Sequence, residues 1–82
     1  MKNLLIKLLD YVEQKDEIYW GLCAEALEMY MVGIIEAPEE ERIISYIMDN
    51  KPNSLREYGG YFWPKELIAP RVAWLKDEIE KL

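Results

Sequence analysis

The residues best suited to chemistry gather late in the chain: Arg56, Tyr58, Gly59, Gly60, Tyr61, Phe62, Trp63, Lys65, Pro70, Arg71 and Trp74. Aromatic faces beside guanidinium groups suit a planar anion such as a nucleotide. The rings stack on a base, while arginine forks take phosphate oxygens in pairs. Arg56, Lys65 and Arg71 are the candidate phosphate ligands, with Tyr58, Tyr61 and Trp63 placed around the base. Gly59–Gly60 would let backbone N–H groups approach phosphate, although the pair fits no phosphate-loop pattern. The competing reading is structural, because large aromatics also plug the core of a small protein or pack between subunits.

Catalysis has little to stand on. The chain has no histidine and one cysteine, Cys23, with no basic residue close by in sequence to activate it. Cys23 therefore reads as a small buried hydrophobe. The run Glu39–Glu40–Glu41 serves a helix N-terminus, since three successive residues cannot face one ion from a helix. No catalytic residue, metal ligand or cofactor is expected.

Four helical segments must position these groups. The first, Lys2 to about Gln14, carries Leu4, Leu5, Leu8 and Val12 at helical spacing, with Lys7 and Asp10 off the stripe. The second, about Ile18 to Val32, sets Leu22, Cys23, Ala26, Leu27 and Tyr30 on one face and Glu25 and Glu28 on the other. Gly33 is its expected C-terminal cap. The third opens at Ala37–Pro38, with proline at its first position, acids in its first turn and Ile43, Ile44 and Ile47 inward. The fourth is expected to start at Pro70, with Val72, Leu75, Ile79 and Leu82 on its core face and Lys76–Glu80 paired outside. Between the last two, Tyr58–Trp63 reads as an irregular aromatic loop or a short hairpin turning at Gly59–Gly60. The fold expected is mainly α, one small bundle of about four helices over residues 1–82.

Composition narrows the partners. The hydrophobic fraction is 51% and the aromatic fraction 12%. So much apolar material in so short a chain points to burial between subunits, hence a homo-oligomer. The net charge is −6. It is uneven: residues 1–37 hold 3 basic and 7 acidic side chains (−4), residues 38–50 hold 1 and 4 (−3), and residues 51–82 hold 6 and 5 (+1). Non-specific nucleic-acid binding is disfavoured, and an anionic ligand should prefer the last third. No apolar run has the length of a membrane span, and no secretory signal is expected. A free thiol without disulfides fits the cytoplasm.

The run GGYFWPKELIAPRVAWL, with the earlier GLC and NKP, resembles a group of small uncharacterised tailed-phage proteins. The matching positions are Gly21, Leu22 and Cys23, then Tyr61, Trp63 and Pro64, then Pro70, Arg71, Trp74 and Leu75. Glu66 departs from the pattern, which has a glycine after Trp-Pro-Lys, so the loop geometry can differ. The resemblance implies a phage accessory protein with no established activity, acting in the host cytoplasm. By fold-independent analogy such a protein counteracts host antiviral defence, here by sequestering a nucleotide-type signalling molecule in a homo-oligomer. The alternatives are an acidic inhibitor of a host defence or nucleic-acid-binding protein, and a structural packing protein.

Overall fold

The computed structural model describes residues 1–49, 55, 58 and 62–81. Four helices carry the fold among these: α1 (Lys2–Glu13), α2 (Gly21–Met31), α3 (Ala37–Met48) and α4 (Lys65–Glu80). Helix α1 touches all three others and packs most extensively on α4, while α2 packs chiefly on α3. That central place explains its broad apolar face, on which Leu5, Leu8, Leu9 and Val12 are all fully buried. The radius of gyration is 11.3 Å, close to the value of about 11.7 Å for a compact chain of this length.

Each helix end has a physical cause. Helix α2 stops at Gly33, whose φ of +84° is costly for any residue with a Cβ. The Ile34 N–H reaches the Met29 carbonyl at 2.8 Å and the Gly33 N–H the Tyr30 carbonyl at 3.1 Å. These two bonds form a Schellman cap, so the glycine acts as expected. Helix α3 starts at Ala37 with Pro38 second, and the Glu36 N–H donates to Glu39 Oε1 at 2.9 Å. That contact satisfies a backbone donor the helix itself leaves free.

The fourth helix corrects the expected start. It begins at Lys65, capped by extended Pro64, and Pro70 lies inside it. Proline there removes one hydrogen bond to the Glu66 carbonyl. Both Glu66 and Pro70 are exposed, so water can take that carbonyl and the helix continues. Its buried residues are Ile68, Val72, Leu75 and Ile79; Leu82 lies outside the described residues. The expected Lys76–Glu80 pair is replaced by a crossing one. Lys76 Nζ donates to Asp10 Oδ1 at 2.6 Å and lies 3.7 Å from Glu13, tying α4 to α1.

Helix α2 is also turned from the expected orientation. Gly21, Leu22, Glu25, Ala26 and Met29 face inward, whereas Leu27 and Tyr30 are exposed. The helix is apolar nearly all round, so periodicity alone leaves its face ambiguous. The partner that Glu25 finds on the α1–α2 connection fixes it.

Trp63 lies beside that connection. Its N–H and carbonyl exchange two 3.0 Å hydrogen bonds with Ile18, an isolated antiparallel bridge. A hairpin turning at Gly59–Gly60 would fall outside the described residues. On its flanks Tyr58 is helical and Trp63 pairs with Ile18.

Candidate functional site

Of the six residues expected to hold an anion, Arg56 and Tyr61 lie outside the described residues. Tyr58, Trp63 and Arg71 come together. Helix α4 carries Arg71 so that its guanidinium carbon sits 4.8 Å from the Tyr58 ring centre and 5.4 Å from that of Trp63. Tyr58 stands edge-on to Trp63 at 5.8 Å and to Trp74 at 5.6 Å. Lys65 is highly exposed and turns to Asp16, 3.5 Å away. Trp63 is fully buried, so its ring contributes to the core here and offers no open face to a base. Arg71 Nη1 and Trp63 Nε1 are nevertheless buried without an acceptor among the described residues. Leaving such donors unpaired is costly.

A second group was not anticipated. It surrounds Lys15, which the polar run 14–17 places between α1 and α2. Its ammonium donates to Glu25 Oε1 at 2.8 Å and to Glu28 Oε2, and the Tyr11 hydroxyl donates to the same Glu28 oxygen at 2.5 Å. Glu25 is 5% exposed, the buried charged residue of the described chain. Burial pushes its carboxyl up against the opposing pull of Lys15. Hydrogen bonds from Lys15 and then Tyr11 hold Glu28 below the usual carboxylate range. Desolvation lowers Lys15, but its bonds to both carboxylates outweigh that and keep it above the ordinary lysine value. A buried carboxylate with a partly exposed partner is coupled both to stability and to whatever enters beside it.

Above this network opens a cleft of about 380 Å³ whose walls include Glu17, Tyr19, Trp20, Glu25 and Glu28. Tyr19 and Trp20 form its aromatic wall; behind it, the Tyr19 ring lies 4.9 Å from that of Phe62, centre to centre, and both are about half exposed. Trp20 is 82% exposed and has a left-handed backbone, φ 65°, at the N-cap of α2. It offers no side-chain cap bond. Local structure therefore gives little return for a bulky residue in a conformation glycine prefers. Sequence reading missed this site because Lys15 and Glu25 meet across a turn. The available signal was Tyr19–Trp20 before Gly21, an aromatic pair outside every apolar stripe.

A larger depression of about 510 Å³ runs along α3, between Met1 and Arg42, Ser45 and Tyr46. It contains no buried charge and no exposed aromatic cluster. Among the described residues no three side chains of metal-ligating type converge, and no helix is long and apolar enough to cross a membrane. Burial pushes the Cys23 thiol up, which keeps it protonated at neutral pH. No family model matches the chain, and no curated protein or solved structure is significantly similar to it.

Proposed function

We propose that this chain works by binding rather than turnover, docking on a basic protein surface through the cleft beside Trp20. The carrying observation is Trp20 itself, 82% exposed in a strained backbone, next in the chain to Tyr19, whose ring packs on Phe62. Tryptophan and tyrosine dominate interface hot spots, and strain of this kind concentrates at functional positions. The −7 carried by residues 1–50 would steer a cationic partner to the same end of the sequence. With the tailed-phage resemblance, the partner class is a host defence or nucleic-acid-binding protein in the host cytoplasm, by analogy only.

Trp20→Gly tests this reading because it separates binding from folding. Glycine relieves the left-handed strain, and little buried area is lost. Thermal stability should hold or rise by up to about 1 kcal/mol, the gain being tempered by a freer unfolded chain. Affinity for a long arginine- and lysine-rich peptide, read by fluorescence anisotropy, should fall at least roughly tenfold. Lower stability with unchanged affinity would make Trp20 a structural residue and remove the reading.

One observation favours a second reading, sequestration of a nucleotide-type signalling molecule in a homo-oligomer. Arg71 Nη1, beside Tyr58 and Trp63 and without an acceptor among the described residues, is a donor suited to a phosphate oxygen. Subunit contact is supported by the stretch between Glu28 and Glu36, which carries no charge and exposes Tyr30, Met31, Val32 and Ile34. On this reading sedimentation at micromolar concentration gives a multiple of 9.8 kDa. Calorimetric titration with linear and cyclic nucleotides gives binding that Arg71→Ala abolishes. A monomer, or a wild type indifferent to every nucleotide, refutes it.

A further inference from the structure

Resting on the docking reading, we infer that the cleft beside Trp20 is a subsite for one arginine side chain of the partner. Its walls carry three carboxylates, Glu17, Glu25 and Glu28, against one ammonium, Lys15, for a net of −2. Each carboxylate has one oxygen engaged. Glu25 Oε1 accepts from Lys15, Glu28 Oε2 from Lys15 and Tyr11, and Glu17 Oε1 from the Tyr19 hydroxyl at 2.9 Å. The other oxygen of Glu17 receives no donor among the described residues, while the Glu25 and Glu28 carboxyls lie within hydrogen-bonding reach of each other, so that a further donor between them would relieve their repulsion. Acceptors left over around a net negative cleft call for a cation with several N–H groups.

The aromatic wall chooses between cations. A guanidinium is flat and weakly hydrated, so it can lie on the Trp20 indole while its edge donates to carboxylates. The chain already makes this pairing once, where Arg71 lies over Tyr58 and Trp63. A lysine ammonium is a compact, strongly hydrated point charge, and Lys15 already occupies the floor between Glu25 and Glu28. About 380 Å³ is within the range of pockets that hold small ligand groups.

The test titrates the ¹⁵N-labelled protein with a short neutral-flanked peptide carrying a central arginine, and with the same peptide carrying lysine or citrulline. Citrulline keeps the shape and loses the charge. The arginine peptide should shift the Trp20 indole resonance and bind about tenfold or more tighter than the citrulline peptide. Glu17→Gln, at an exposed position, should weaken arginine binding severalfold with an unchanged melting temperature. Equal affinity for arginine and either analogue, a neutral Glu17→Gln, or shifts that map away from Trp20 would overturn the subsite. The docking reading survives that failure if the long basic peptide still depends on Trp20. If neither peptide binds, both fall.

Discussion

Trp63→Ala is expected to cost about 3–5 kcal/mol, the largest effect of any single truncation discussed for this chain. The side chain is fully buried, meets the Tyr58 ring edge-on and lies under the Arg71 guanidinium. Truncation removes its buried area and leaves a cavity that the packed neighbours can only partly close. The two hydrogen bonds to Ile18 are backbone bonds and survive, so the loss is one of packing. A domain of this length holds about 4–12 kcal/mol in total. The melting temperature should fall on the order of 15–30 °C, with a lower urea midpoint. Trp74→Ala provides the contrast. Its ring is 43% exposed and meets Tyr58 at one edge, so roughly 1–2 kcal/mol is expected. A variant at Trp63 as stable as the one at Trp74 would overturn the core assignment.

The same residue shows why some of the architecture could be read from the sequence. Tyr58, Trp63 and Arg71 stand together in the fold because they are close in sequence and α4 carries the arginine back to the two rings. Helix α1 was legible because Leu5, Leu8 and Val12 repeat at helical spacing with Lys7 and Asp10 between them, and Gly33 because its φ of +84° is one that glycine supplies. What failed involved partners distant in sequence. Pro70 resembles a helix start until Trp63–Pro64 is seen to launch α4 earlier, with water able to take the carbonyl the proline leaves free. Glu25 looks like a solvated acid because helical periodicity contains no information about Lys15 on the preceding turn. The left-handed backbone of Trp20 is invisible in its side-chain type, so the Tyr19–Trp20 pair before Gly21 is the one local signal of the site built around it.

Lys15→Met should be the most informative change in that second site. Methionine retains the apolar stem while removing the ammonium from between Glu25 and Glu28. Glu25 then remains buried as an anion with no cation beside it, close to a second carboxylate. Removing one partner of a fully buried pair costs about 3–5 kcal/mol. Here the Lys15 and Glu28 side chains are 27% and 43% exposed, and solvent screening reduces the expectation to roughly 1–3 kcal/mol at neutral pH.

The pH dependence separates this electrostatic loss from a packing defect. The folded pKa of Lys15 lies above 10.5 and that of Tyr11 above 10.0. Both contributions are complete below the unfolded values and are lost as pH rises through the folded ones. Wild-type stability should therefore fall above about pH 10, the unfolded tyrosine value. Its acid limb should be shallower, because the two carboxylates act in opposite senses. The lowered Glu28 loses its contribution as pH falls through its folded value, whereas the raised Glu25 favours the folded state as it takes up a proton. In Lys15→Met the alkaline loss from Lys15 disappears. Without the ammonium, Glu25 is pushed further up, so the variant should regain stability as pH drops towards 5 while the wild type does not. Adding Glu25→Gln to Lys15→Met should recover most of the neutral-pH loss, since the unpaired charge is then gone. Urea unfolding from about pH 5 to about pH 12 of the wild type and both variants measures all of this. A single variant that is equally destabilised across the whole range would assign the effect to packing of the lysine stem, and the buried pair would carry no charge-dependent stability.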